Sequence, residues 1–290
     1  MHAGTFTNDS KVAEILGIPT LKQETSLSVS VGAVAKIAKG FDLKVNAYQN
    51  DIKNRIILSN TFNGGNNAAL TNELNAAGAG TASIFTNGVD TRSRGLEAVL
   101  THTTKFAHNQ SITTSAAHVS LQNKITRDAN GNIIIHASTV LEASGQLSKY
   151  FNRADQSRIE TYSPKTKDIV SFQYKIGKAG ALLRVSYFGK VSALADSRGG
   201  ANLAANAFDG CTVETIGQAF SGKGITDLSF SYAILKNVTV NIGATNLFNV
   251  YPDEQTHYNN TSSGRFTYSR AVSQFGYNGR YIFGKVAINL

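Results

Sequence analysis

Apolar and polar residues alternate with a period of two along most of this chain. From Ser26 to Ile37, Leu27, Val29, Val31, Ala33, Ala35 and Ile37 share one face, while Ser26, Ser28 and Ser30 begin the other. Phe41, Leu43, Val45 and Ala47 then alternate with Asp42, Lys44 and Asn46. The pattern returns in Val170–Ile176, Leu183–Tyr187, Leu228–Ile234, Val238–Thr245 and Ile282–Leu290. Less regular strands are predicted through Thr91–Thr104 and Ser111–Gln122. Period two means strands with unlike faces, because successive side chains leave the backbone on opposite sides. About ten strands result, most near the ~9–11 residues that cross a bilayer at a barrel's tilt.

The connections between strands alternate in length. Ala38-Lys39-Gly40, Gly177-Lys178-Ala179-Gly180 and Leu235-Lys236-Asn237 are tight turns, whereas Asn60–Ser83, Ser192–Gly224 and Asn249–Tyr277 are long and polar. Alternation puts all short turns at one end of the sheet and all long loops at the other, as in membrane barrels with short periplasmic turns and long extracellular loops. Within the first loop, Asn72–Ala77 is predicted to form a short helix and Ala76–Ser83 a flexible small-residue stretch. The polar face, rich in Ser, Thr, Asn and Arg, is too polar to pack dry, which points to lipid on one face and a wet lumen on the other. The expected fold is therefore all-β, an antiparallel transmembrane β-barrel.

Composition narrows this reading. The 290 residues include 26 Gly and 3 Pro, and no apolar run approaches the ~18–20 residues of a membrane helix. A mean hydropathy of −0.15 does not weigh against a barrel, whose lipid band is hidden by alternation. The lone Cys211 excludes an intramolecular disulfide and any multi-cysteine metal site. Met1-His2-Ala3-Gly4-Thr5 has neither the basic start nor the apolar core of an export signal, so such a signal is expected upstream. The formal charge of +9 is scattered, without a basic tail or aromatic-interleaved motif. Nucleic acid is not expected as a partner; phosphate-rich outer-membrane lipid is.

Several segments carry a family resemblance. Gly243-Ala244-Thr245-Asn246-Leu247-Phe248-Asn249-Val250-Tyr251-Pro252-Asp253 resembles the G-x-x-N-L-F-[ND] segment near the C-terminus of TonB-dependent receptors, with Gly243, Asn246, Leu247, Phe248, Asn249, Tyr251, Pro252 and Asp253 as the matching residues. Ile225–Tyr232 is similar to the family's preceding strand. Phe85–Glu97 looks like the strand that opens N-x7-G-[LV]-E, with Asn87, Gly95, Leu96 and Glu97. Tyr48–Ile56 resembles a strand ending I-x-[ND]-x-I. The resemblance, Bacteroidetes-like in form, implies a barrel of about 22 strands around an N-terminal plug in the bacterial outer membrane. It also implies import of a scarce, bulky ligand such as a ferric siderophore. The energy comes from TonB through the plug, and the barrel-assembly machinery reads the last strand. Residues 1–290 then correspond to the C-terminal part of the barrel, without room for the plug. Leu290 stands where the family usually ends in an aromatic residue. A passive porin or surface adhesin is the alternative, and a β-rich hydrolase a more distant one.

Candidate chemistry is sparse. His2, His102, His108, His118, His136 and His257 show no H-x-x-x-H or H-E-x-x-H spacing, so loop or lumen histidine is the default and no metal is assigned. A hairpin encounter of His102, His108 and His118 is the one arrangement to look for. Asp253–Glu254 suits a cation or, more simply, a loop-start turn after Pro252. There is no G-x-S-x-G elbow or Ser/His/Asp set, and Gly64-Gly65 and Gly199-Gly200 lack the strand-to-helix setting of a phosphate cradle. No catalysis and no cofactor are expected. Tyr48, Tyr187, Tyr232 and Tyr281 fit either an interfacial girdle or ordinary strand positions. Arg92, Arg94, Arg184 and Arg280 lie on or near strands; where such an arginine faces the lumen it suits an anionic ligand, the plug, or pairing with lumen carboxylates. About ten strands leave two unpaired edges, which a bilayer interior does not tolerate. The isolated chain is therefore expected to give no sealed conducting pore in a planar bilayer; a stable monomeric pore would contradict this.

Overall fold

The computed structural model of the protein describes residues 2–143, 150–194, 217–256 and 265–288. Gly199-Gly200, Cys211, His257, Asn289 and Leu290 lie outside the described residues. The dominant element is a ten-stranded sheet. Its long neighbours in chain order are β2 (Thr25–Ala38), β3 (Phe41–Leu58), β4 (Ala79–Phe106), β5 (Gln110–Ile125), β6 (Thr166–Ile176) and β7 (Ala179–Phe188). It continues with β10 (Lys223–Leu235), β11 (Val238–Thr245) and β12 (Tyr281–Ile288). Each pairs antiparallel with the next, and β10 joins β7 directly. The path ends at β2 and β12 without closing. A short β1 (His2–Phe6) lies parallel to the upper part of β4.

The short turns are built by residues that accept left-handed backbone. Gly40 (φ +79°) turns β2 into β3, and a Cβ there would meet the Thr103 carbonyl at 2.6 Å. His108 and Asn109 (φ +60° and +53°) turn β4 into β5. The opposite end carries the long connections. There α1 (Lys11–Ile15), α2 (Ala68–Ala76), α3 (Thr139–Ala143), α4 (Arg153–Glu160), the small hairpin β8 (Val191–Ala193) with β9 (Gln218–Phe220), and a 3-10 helix (Arg270–Phe275) form a cap. Ser10 and Asn67 cap α1 and α2, and Asn152 with Asp155 forms a capping box on α4.

Paired residues of an antiparallel ladder share a face, so the register fixes the sides of the sheet. Val31 leads across to Ala47 and Leu96. Leu43 leads to Leu100, Ala116, Val170 and Val185. Phe172 leads to Leu183, Leu228, Ala244 and Ile282. This continuous apolar band has nothing of the protein against it: Val31 is 72 % exposed and Ile282 73 %. Water would penalise so large a patch, while lipid solvates it, so this is the outer face. The other face carries Ser30, Asn46, Glu97, Ser171, Arg184, Asp227, Asn241 and Lys285 and is the lumen side. On it the Tyr48 ring lies over Gly95, where a Cβ would come within 2.3 Å of the ring.

The buried apolar core lies in the cap instead. Phe62, Leu70, Ala82, Ile84, Val89 and Tyr150 are fully buried among Val12, Leu16, Leu74 and Leu141. Each large side chain so buried contributes roughly 1.5–3 kcal/mol. This corrects the flexible reading of Ala76–Ser83. Residues 79–83 begin β4, because their small side chains let β1 and Phe62 pack close against the strand. The expected helix is present, shifted toward Ala68 by its Asn67 cap. Among the described residues no helix is long and apolar enough to cross a membrane. Replacing Ile242, in the middle of the outer-face crossing of β11, by Arg is expected to cost about 2–4 kcal/mol in a bilayer. Asn241→Arg, one residue away on the lumen face, is expected to stay within about 0.5 kcal/mol. Equilibrium unfolding of the full receptor carrying this wall from lipid vesicles checks the pair; equal costs would contradict the assignment of faces.

Candidate functional site

Above β11 the chain makes an elbow at the loop end of the wall. Asn246 and Asn249 hold left-handed backbone (φ +51° and +57°), which asparagine tolerates better than most residues. The Asn246 side chain accepts from the Val250 N–H (2.8 Å) and donates to the Val250 carbonyl (2.7 Å), closing the turn on itself. The Asn246 N–H donates to Asp227 Oδ1 at 3.0 Å. Asp227 Oδ2 in turn accepts from Arg184 Nη2 and Nε at 2.6 and 3.0 Å. One chain of bonds thus crosses β7, β10 and β11. The Arg280 N–H donates to Asn249 Oδ1 (2.9 Å), tying in the start of β12. Asn249 and Tyr251 also crowd Gly279, whose φ is +68°.

Asp253 completes the clasp by accepting from the Ser221 N–H and Oγ, both at 2.5 Å, and from Lys223 Nζ at 2.6 Å. Burial alone would raise its pKa, but the bonds from Lys223 and Ser221 outweigh it and hold the carboxyl below its ordinary range. Its oxygens are therefore engaged by protein donors distant in sequence rather than by a local turn. Asn246 and Pro252 are buried, while Phe248 is 70 % exposed.

Beside the elbow, Tyr251, Tyr268 and Tyr277 form a near-parallel stack, with centroids 6.4 and 5.5 Å apart and interplanar angles of 9° and 7°. Tyr268 and Tyr277, with Gln255, Arg265, Phe266, Thr267 and Arg270, line an open recess of about 740 Å³. Gln255 holds the recess wall through the Phe266 and Thr267 carbonyls, and the Tyr277 hydroxyl donates to the Ser269 carbonyl. Flat aromatic faces beside two guanidinium groups suit a planar, anionic ligand. The sequence reading missed this cluster because Arg265–Tyr268 lies in what reads as one long polar loop. Its mixture of aromatic and basic residues was the available signal.

Other expected residues separate. His118 on β5 faces Ala98, about 13 Å along the strands from His102. His118 bonds Asp168 (2.6 Å), His136 bonds Asp90 (3.1 Å), His102 stacks on Phe41 at 3.9 Å, and His108 is a turn residue. Among the described residues no group of three or more His, Cys, Asp or Glu is placed to hold a metal. Arg92 and Arg94 do not face the lumen: they stand on the face of Leu96, outside the barrel wall. Arg92 pairs with Asp51 and Arg94 with Gln49 across the ladder. Arg184 is lumenal and paired with Asp227. Tyr187 and Tyr232 lie on the outer face near opposite ends of the apolar band, as a girdle requires, but Tyr48 and Tyr281 lie on the lumen face. Asn87 is a strap: its amide holds the backbone of Lys22 on one side and Asn54 on the other.

The geometry can be set against known proteins. No curated protein sequence matches the chain. Among solved structures it is similar to the outer-membrane transporter YddB from Escherichia coli, at 12 % identity and a TM-score of 0.56 over 93 % of this chain and 33 % of that one. The siderophore receptor PirA from Acinetobacter baumannii gives 14 % identity and 0.56 over 93 % and 32 %. The copper transporter OprC gives 15 % and 0.52 over 93 % and 32 %. These identities speak for fold, and the chain spans about a third of the length of the structures it matches. Residues 3–247 match the family described as "TonB dependent receptor-like, beta-barrel". With its lipid-facing belt and asymmetric connections, the chain belongs to the TonB-dependent receptor family of the bacterial outer membrane, and forms part of its β-barrel.

Proposed function

We propose that this chain is the C-terminal portion of the barrel wall of an outer-membrane receptor that imports a scarce, bulky nutrient, of which a ferric siderophore is one example. The observation that carries the reading is the match of most of the wall to the receptor-barrel family, joined to an apolar belt that only lipid can cover. The wall performs no catalysis of its own; it fixes the plug on its polar face and presents loops to the outside. Energy reaches the ligand through TonB and a plug supplied elsewhere in the receptor, and the last strand is the element read by the barrel-assembly machinery. The Asn246–Asp253 elbow holds β7, β10, β11 and β12 in register beneath the loops. The recess with Tyr268, Tyr277, Arg265 and Arg270 supplies part of the ligand contact, and its chemistry suits an anionic chelate with planar groups.

A passive porin shares the wall but not the energy source, and uptake assays separate the two. In cells that make the full receptor, uptake of a radiolabelled ferric siderophore is expected to stop when TonB is removed. Uptake that persists without TonB would support the porin instead. Arg265→Ala with Arg270→Ala is expected to weaken surface binding at least tenfold, since a hydrogen bond to a charged group is worth roughly 1.5–3 kcal/mol. Unchanged binding would remove the recess from the ligand path while leaving the receptor reading intact.

A further inference from the structure

At the short-turn end, the lumen face carries its charge in one register row. Lys105 on β4 stands opposite Ser111, Ser111 opposite Lys175, and Lys175 opposite Gly180. Gly180 stands opposite Ser231, Ser231 opposite Asn241, and Asn241 opposite Lys285 on β12. Strand spacing puts Lys105 and Lys175 about 10 Å apart, and Lys175 and Lys285 about 19 Å apart. All three lysines are exposed, and the row contains no carboxylate. Asp42 and Asp227 share a lumen row about 13 Å higher along the strands, and each faces a cation there, Lys36 for one and Arg184 for the other. Among the described residues, lysine forms ion pairs only at Lys11–Glu14 and Lys223–Asp253, both toward the loop end. Lys39, Lys178 and Lys236, in the turns just below the row, add charge of the same sign.

We propose that this row is a collecting site for a small solute of net negative charge at the inner mouth of the lumen. A wall that carries one sign of charge, with low dielectric behind it, raises the local concentration of counter-ions. Ser111, Gly180, Ser231 and Asn241 are small or uncharged, so they leave each ammonium open to water without neutralising it. Lysine is a hydrated point charge on a flexible stem, without the fixed fork of arginine. It therefore gathers an anion without fitting it tightly, and a site on a path of passage must release what it binds. The wall itself keeps lipid away, since Lys175 points opposite to its neighbours Tyr174 and Ile176 on the outer face. The site differs from the recess beside the elbow in strands, end and chemistry. It rests on the import reading only for the direction from which the solute arrives.

The test uses the full receptor carrying this wall, in phosphatidylcholine nanodiscs that leave both mouths open and bring no net lipid charge. With Cys211→Ser in place, a spin label at Ser111→Cys sits between Lys105 and Lys175. Its collisions with trianionic tris(oxalato)chromate are divided by those with a neutral nickel chelate, and the ratio is scaled to that of a free nitroxide. The proposal expects a ratio of about ten, at the low end of what a focused lumen field gives. Lys105→Gln, Lys175→Gln and Lys285→Gln together are expected to bring it within about twofold of one. Lys11→Gln, in the cap at the opposite end, is expected to leave it unchanged. A ratio near one in the unaltered receptor, as a plug carboxylate seated on the row would give, would overturn the proposal. An undiminished ratio in the triple variant would do the same, and so would a label that neither agent reaches. The ratio needs no transport. A mouth without enrichment, in a receptor whose uptake stops without TonB, would therefore remove this site and leave the import reading standing.

Discussion

Hydrocarbon offers no hydrogen bond to a peptide group, and the rest of this structure depends on that constraint. Every N–H and C=O at membrane depth must find its partner in a neighbouring strand, at a cost of several kcal/mol for each failure. The ladder from β2 to β12 supplies those partners between neighbouring strands and leaves two outer edges. The same constraint forces the alternation of side chains, because a strand satisfied by its neighbours on both sides still has two faces to solvate. Lipid takes one and the wet lumen takes the other.

Stability is therefore distributed unlike that of a soluble domain. The wall has no interior; its largest apolar side chains stand exposed to the solvent that suits them. The packed core sits in the cap, where Phe62, Leu70, Ile84 and Tyr150 gather short helices that hold little structure alone. Between wall and cap, asparagine does the tying. Asn87 straps two backbone segments to β4, and Asn246 with Asn249 ties β10, β11 and β12. Short amides reach neighbouring backbone without filling the lumen, and asparagine accepts the left-handed turns that such reach requires.

The wall was largely legible in the sequence and the cap was not. Val238–Thr245 or Leu228–Ile234 declare themselves because lipid and lumen impose opposite demands on adjacent residues. No such demand acts above the belt. There β4 continues up to Ala79 through residues whose small size reads as looseness and serves as close packing. The helices at Lys11, Thr139 and Arg153 draw their stability from contacts distant in sequence, which local patterns do not carry. The elbow residues were visible as a resemblance, though their work as a clasp was not. Charge alone does not place Arg92 and Arg94, because a charged strand residue suits the wet lumen and the headgroup layer alike. Counting two residues at a time from Leu96 puts them outside, where the apolar belt ends and the headgroup layer begins.

The central claim is that successive residues of one strand meet lipid and water in turn. Collision of a spin label with oxygen or with a water-soluble nickel chelate measures this directly at single labelled cysteines of the full receptor in a membrane. The lone Cys211 must first be replaced by serine. Labels at Val238, Val240 and Ile242 are predicted to collide with oxygen, and those at Thr239 and Asn241 with the chelate. Chelate access at all five positions, or no alternation along β11, would contradict the account.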